Sequence, residues 1–369
     1  MKKQKPESYK PDWSPEVEND AFAVSILKGV NKSDNKHKVT SSNKKILSVD
    51  EYVNGVVNFD RNILARTITL IESNKPDHQE LAQQVLTKLL PYSGNSLRIG
   101  VTGVPGAGKS TLIESFGMYL IGLGHKVAVL TVDPSSSITK GSILGDKTRM
   151  ENLSKQVNCF IRPSPSGGTL GGVARKSRET ITVCEAAGFD IILIETVGVG
   201  QSEVTVRSMV DFFLLILIAG GGDELQGIKR GIMELVDTLL INKADGDNEK
   251  KAIISKSDYE NALQYLKPAT KGWRPKVFTT SAITGKGIPE LWNTIQEFEK
   301  VTKESGVFEK RRKSQQIEWI HKMVENWLID EFYSNEKVKK MLKTIEEEIS
   351  RGTITPTLAA EKLLKSFKL

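Results

Sequence analysis

The stretch Leu97-Arg98-Ile99-Gly100-Val101-Thr102-Gly103-Val104-Pro105-Gly106-Ala107-Gly108-Lys109-Ser110 decides the fold. A short apolar run leads into Gly-x-x-x-x-Gly-Lys-Ser, and a helical pattern follows. That order of strand, loop and helix is what a phosphate-binding P-loop requires. Glycines let backbone N–H groups turn inward around phosphates, and the helix N-terminus adds partial positive charge. Gly103, Val104, Pro105, Gly106, Ala107 and Gly108 are therefore candidate nucleotide contacts. Lys109 is placed to reach the β- and γ-phosphates, and Ser110 to offer its hydroxyl to Mg²⁺. The helix is expected to run to Leu123, with Gly124 as its C-terminal stop. The bland alternative is a chance glycine-rich turn, which the ordered context disfavours.

Outward from that loop, β-branched runs alternate with helical stretches. Strands are expected at Leu97–Thr102, Lys126–Val132, Asn158–Arg162, Ile191–Glu195, Phe212–Ile218, Thr238–Asn242 and Lys276–Thr280. Several are apolar on both faces, as buried parallel strands are. The expected fold is α/β: a P-loop NTPase with a doubly wound, mostly parallel sheet over residues 96–287. Ahead of it, Ser48 and Glu51 make a capping box. Val53, Val56, Leu64, Ile68, Ile71, Leu81, Val85 and Leu89 then repeat at helical spacing, interrupted at Pro76-Asp77. Residues 47–95 thus read as a small helical region. From Ile288 the pattern is helical to the end of the chain. A basic run, Lys310-Arg311-Arg312-Lys313, is expected to interrupt it as a solvated face. Residues 1–46 are polar and Lys-rich and read as a flexible tail, with one short amphipathic stretch at Ala21 to Val30.

The base is chosen by Asn242-Lys243-Ala244-Asp245, at the end of a predicted strand. The Asp245 carboxylate can accept from guanine N1–H and the N2 amino group, a donor pair that adenine lacks. Thr280-Ser281-Ala282 follows the next strand, where a third base-contacting loop belongs, and Ile283 adjoins it. GTP is expected over ATP. Glu195 ends its strand in Glu195-Thr196-Val197-Gly198, the place for an acid that orders Mg²⁺ or the attacking water. Gly198 is then the candidate γ-phosphate sensor. The adjoining Gly198-Val199-Gly200-Gln201-Ser202-Glu203 is only a weak dinucleotide pattern, since the P-loop already takes the first strand–helix turn. Asp133 ends a strand expected to lie beside the P-loop strand, which favours a functional role. For Asp146, a surface or capping use stands equally open. The glycine-rich segment from Gly220 to Lys229 reads either as a plain loop or as a moving, nucleotide-sensing element.

Composition narrows the class. The chain has 369 residues, 38% hydrophobic and 26% charged, with a net charge of +7. That is a globular composition, and the modest positive excess sits partly in the tail. Its two cysteines, Cys159 and Cys184, form no C-x-x-C pair, and the four histidines show no zinc spacing. A reducing, cytoplasmic setting fits, with no signal peptide, no membrane span and no nucleic-acid motif. Trp319 and Trp327, with Ile320 and Met323, look like core or dimer surface.

Taken in order, these motifs resemble the methylmalonyl-CoA mutase-associated GTPases of MeaB/ArgK type. Residues 103–111, 132–136, 141–150, 160–172, 195–203, 222–229 and 242–245 carry the likeness. It implies a GTP- and Mg²⁺-dependent hydrolase that chaperones an adenosylcobalamin-dependent acyl-CoA mutase, gating cofactor loading and protecting the mutase. It implies a homodimer built by the C-terminal arm, residues 288–369. Lys109, Ser110 and Thr111 would hold phosphate and metal, and Asp133, Asp146 and Glu195 would be metal- and hydrolysis-linked acids. Asp223, Gln226 and Lys229 would lie in an additional switch. Ser137 and Lys140 depart from the family's Pro and Gly. A kinase or ATPase of lysine/arginine/ornithine transport is the alternative, disfavoured by Asp245. A metal-insertion GTPase would need His- or Cys-rich motifs that this chain lacks.

Overall fold

The structure, a computed structural model, describes residues 47–132, 150–163, 170–196, 202–219 and 230–367. Seven strands form one sheet: β1 (Leu97–Gly103), β2 (Val127–Val132), β3 (Cys159–Arg162), β4 (Ile191–Thr196), β5 (Phe212–Ile218), β6 (Thr238–Asn242) and β7 (Lys276–Thr279). All pairs are parallel, in the order β3-β2-β4-β1-β5-β6-β7. Every expected strand is present to within a residue at each end. The P-loop strand is central, and the chain reverses its direction of travel across the sheet on either side of it. In open α/β sheets that reversal, at the carboxyl ends of the strands, is where ligands bind.

The sheet is buried on both faces because side chains alternate between two apolar layers. Leu97, Ile99, Val101, Val129 and Leu193 face one core. Ala128, Leu130, Ile192, Ile194 and Phe213 face the other. The first core is covered by α4 (Lys109–Gly122), α5 (Glu151–Ser154) and, later in the chain, α10 (Ile288–Glu304). The second is covered by α1 (Val49–Val57), α2 (Arg61–Glu72), α3 (Pro76–Leu89) and α6 (Leu170–Ala186). Val56, Leu64, Ile68, Val85 and Leu89 are fully buried there. At roughly 1.5–3 kcal/mol per buried aliphatic side chain, they tie the N-terminal helices to the sheet.

Local signals place these helices. Ser48 and Glu51 form the capping box, with Ser48 N donating to Glu51 Oε2 at 2.7 Å and Glu51 N to Ser48 Oγ at 3.2 Å. Asp60 caps α2. Pro76 opens α3 at its first turn, where its missing N–H is not needed, so the interruption is a helix start. Between and after the later strands lie α7 (Ser202–Arg207), α8 (Arg230–Met233) and α9 (Glu249–Gln264), and the chain closes with α11 (Val307–Ser334), α12 (Glu336–Ser350) and α13 (Pro356–Phe367).

Two expectations are corrected. Strand β2 does not lie beside the P-loop strand, because β4 is inserted between them, pairing Val127↔Ile191 through Val132↔Thr196. β4 is buried along its whole length, and the helical layers on the two sides of the sheet cover both of its apolar faces. Likewise, the basic run does not interrupt the C-terminal helices. The break is at Ser305-Gly306, where Gly306 has φ +69°, and α11 runs unbroken through residues 310–313. Arg311 and Arg312 are not solvated either. Arg312 grips Asp211 through Nε at 2.7 Å and Nη2 at 2.6 Å, while Arg311 donates to Asp211 O and Thr270 Oγ1 and lies 3.8 Å from Asp237. The Asp211 and Asp237 side chains, just before β5 and β6, are 1% and 0% exposed, so they need buried counter-charges. Burial pulls the Arg311 guanidinium down to about 10, with the Arg207 charge adding to the fall. For Arg312 burial acts the same way, but the hydrogen bonds and charge of Asp211 outweigh it and hold the group above its ordinary value.

Candidate nucleotide site

The phosphate loop is built by β1 and α4. Gly106 and Gly108 take φ of +81° and +85°, the left-handed region that glycine tolerates and that turns successive N–H groups inward. At Gly103 the constraint is space: an added Cβ would stand 2.2 Å from Ile216 O on β5. Ala107 N closes the loop onto Val104 O at 3.1 Å. Lys109 Nζ donates to the carbonyls of Gly103 at 2.8 Å and Val104 at 3.3 Å, which holds its ammonium over the loop. Pro105 is exposed, and Thr111 follows Ser110 in the first turn of α4.

Glu195 comes to this loop from the neighbouring strand. Its Cα is paired with Val101 on one side and Thr131 on the other. Alternation along β4 turns it toward the face that carries α4, and the Ser110 hydroxyl donates to Glu195 Oε1 at 2.9 Å. A hydroxyl and a carboxylate in contact are hard oxygen donors, the set that Mg²⁺ prefers and that zinc and copper do not need. Among the described residues no cluster of three or more His, Cys, Asp or Glu could hold a metal.

A second junction joins the base-side loops to the P-loop. Asn242, at the end of β6, is 1% exposed, and its Nδ2 donates to Ala107 O at 2.8 Å. Its Oδ1 accepts from Thr280 Oγ1 and from Ala282 N, each at 3.3 Å. Ser281 Oγ donates to Asp245 Oδ2 and accepts from Thr284 N at 3.2 Å, so the loop after β7 aims the Asp245 carboxylate. Ala244 N donates to Thr280 O at 2.9 Å. Lys243 has φ +58°, a cost that a non-glycine residue bears only where surrounding contacts impose it. Ile283 is 82% exposed at the rim. One asparagine thus connects three segments that are far apart in sequence.

The structure brings together Gly103 through Ser110 with Glu195 and Asn242, and Asn242 with Ser281, Ala282 and Asp245. Asp133, Asp146, Gly198, Asp223, Gln226 and Lys229 lie outside the described residues, as do Ser137, Lys140 and the tail 1–46. The motifs give no role to Thr102, and they place Thr280 in the third base-contacting loop without its bond to Asn242. Thr280 is legible as the residue that leads into Ser281. Thr102 is a buried hydroxyl in a strand whose other buried residues are apolar or glycine, itself a signal that a partner is near.

Remote from this site, Cys159 and Cys184 are free and buried. Burial pushes the Cys159 thiol up to about 12 and drives Cys184 upward as well, so both act as small apolar groups. On α11, the Arg178 guanidinium of α6 packs over the Trp319 ring at 4.8 Å. Burial, with the Arg98 charge added, pulls Arg178 down to about 10. No helix among the described residues is long and apolar enough to cross a membrane.

Comparison with known proteins agrees with this geometry. The pattern of the family described as Methylmalonyl Co-A mutase-associated GTPase MeaB matches residues 64–337. The chain belongs to this family. A probable GTPase of Mycobacterium tuberculosis is 51% identical over 322 residues, which is 87% of this chain and 96% of that protein. GTPase ArgK of Escherichia coli is 47% identical, covering 82% of this chain and 92% of ArgK. The mouse protein named methylmalonic aciduria type A homolog, mitochondrial, is 44% identical over 90% of this chain and 82% of its own length. The crystal structure of a protein named LAO/AO transport system kinase superposes with a TM-score of 0.71 at 38% identity, covering 87% of this chain and 99% of the other. This MeaB-family chain is therefore a P-loop GTPase.

Proposed function

We propose that this GTPase is a timing device for an adenosylcobalamin-dependent acyl-CoA mutase of methylmalonyl-CoA mutase type, gating cofactor loading and protecting the mutase. The observation that supports it is the family match over residues 64–337, whose description names that mutase. In this reading the nucleotide is GTP or GDP. Asp245, aimed by Ser281, accepts from guanine, and Asn242 keeps the base loops in step with the P-loop. Lys109 holds the β- and γ-phosphates, with Gly103 to Thr111 around them, and Ser110 and Glu195 hold Mg²⁺. When bound, that ion neutralises charge developing on the phosphates. Asp133 and Asp146 complete the acids, Gly198 senses the γ-phosphate, and Asp223, Gln226 and Lys229 form a further switch toward the mutase. The domain plan is a tail (1–46), a helical region (47–95), the GTPase domain (96–287) and a helical arm (288–369).

The arm is read as a homodimer surface. Ile317, Ile320, Val324, Trp327 and Leu328 fall on one side of α11 at helical spacing and are each about half exposed or more. The two free, buried cysteines suit a reducing compartment such as the cytoplasm. A second reading, a nucleotide-dependent kinase of basic amino-acid transport, draws on the name of the solved relative. The guanine-directed Asp245–Ser281 pair weighs against it. Size-exclusion chromatography of the chain with a purified mutase, in GDP and in a non-hydrolysable GTP analogue, separates the two. A co-eluting complex that depends on the nucleotide is expected. Its absence with both nucleotides, together with phosphorylation of a transport protein, would overturn the proposal.

A further inference from the structure

Two buried threonines stand directly behind the metal-side residues. Thr102 precedes Gly103, the first residue of the P-loop, and Thr196 follows Glu195. Both are 0% exposed, and Thr196 Oγ1 donates to Thr102 Oγ1 at 2.9 Å. Backbone pairing between β1 and β4 runs from Leu97↔Ile191 to Val101↔Glu195. Thr102 and Thr196 are the next register position, so their side chains extend the ladder one step past its last pair. Alternation sends Val101 and Glu195 to the face of α4 and the two threonines to the opposite face. The hydroxyl contact therefore ties the strand ends from beneath, at the point where β1 leaves its β4 partner to become the phosphate loop.

From this placement we infer that Thr102 and Thr196 are a positioning pair: their hydrogen bond fixes the distance between the P-loop and Glu195, and hence the Ser110–Glu195 donor set. Neither hydroxyl is assigned contact with nucleotide or metal. Elsewhere in these strands the buried residues are almost wholly apolar, and a hydroxyl pair adds nothing there that two valines would not pack as well. Its use is directional. A hydrogen bond constrains two strand ends in distance and angle, which dispersion contacts between branched side chains do not.

The inference rests on the reading of Glu195 as the metal-side acid, so the experiment carries a control for that reading. Thr102→Val and Thr196→Val keep the shape and remove the bond; Thr102→Ser and Thr196→Ser keep the hydroxyl. The measurements are the Mg²⁺ concentration that half-slows release of a fluorescent GDP, the kcat and KM for GTP, and the melting temperature. For each valine variant the Mg²⁺ midpoint is expected to rise roughly 3- to 10-fold, with kcat falling by a similar factor. Fluorescent GDP affinity without Mg²⁺ should stay within about 3-fold of wild type. Serine variants should recover most of the loss. Valine variants with unchanged Mg²⁺ midpoints, or serine variants as impaired as valine ones, would overturn the inference. Should one valine variant fail to fold, the valine variant at the other position and the two serine variants decide. The control is Glu195→Gln. If it leaves the Mg²⁺ midpoint unchanged, the reading of Glu195 fails. If it shifts the midpoint and the threonine variants do not, only the positioning pair fails.

Discussion

Arg312→Met should loosen the arm from the GTPase core. In the native chain, Arg312 makes two bonds to the Asp211 carboxylate and donates to Gly94 O and Ser96 O, each at 2.5 Å. Asp211 is 1% exposed, and its carboxylate also accepts from Arg98 N at 2.9 Å. Methionine fills much of the same volume but removes the cation that grips the buried carboxylate, leaving it the more distant charge of Arg311. Removing one partner of a buried ion pair costs about 3–5 kcal/mol, against roughly 5–15 kcal/mol for a whole domain. For a chain of this size, at about 2.1 cal/mol/K of unfolding entropy per residue, that corresponds to a fall in melting temperature of roughly 4–7 °C. Arg312→Lys keeps the charge but loses the fork and should fall between the two. Lys313→Met, one residue on and exposed, should change stability by less than about 0.5 kcal/mol. Thermal and urea melts of the three variants provide the assay. Equal melting of Arg312→Met and Lys313→Met would refute the buried-anchor reasoning.

Other substitutions address the site and the surface. Lys109→Ala should abolish GTP hydrolysis with circular dichroism unchanged; wild-type turnover would remove Lys109 from the phosphate site. Asp245→Asn exchanges an acceptor for a donor opposite guanine N1–H and should weaken GDP by about 10²-fold or more while improving xanthosine diphosphate, measured by competition. Val324→Asp on the exposed face of α11 should shift light scattering from dimer to monomer, and an unchanged mass would remove that face from the interface. In the folded chain at pH 8, neither cysteine should react appreciably with a thiol reagent, because burial raises both thiols and leaves little thiolate. Rapid labelling would contradict the buried packing.

The parts legible in the sequence are those set by local chemistry. A P-loop needs its glycines at fixed spacing, and a capping box needs Ser48 and Glu51 three residues apart, so both can be read without a structure. Strands apolar on both faces announce a parallel sheet. Strand order was not legible, because β2 and β1 are separated by β4 through tertiary burial, which leaves no mark on either strand alone. Arg311 and Arg312 looked like any surface charges. Their partners, Asp211 and Asp237, lie 101 and 74 positions away for Arg312 and Arg311 respectively, and nothing local to the run reveals them. Asn242 was found as part of a base motif, whereas its bond to Ala107 O emerges only when the ends of β6 and β1 are brought to the same edge.

The most direct measurement is the steady-state GTP hydrolysis rate with and without a stoichiometric adenosylcobalamin-dependent acyl-CoA mutase, with Lys109→Ala as the blank. A rate that rises with the mutase, saturates near one-to-one binding and vanishes in the blank is predicted. A rate indifferent to every such mutase would contradict the timing role.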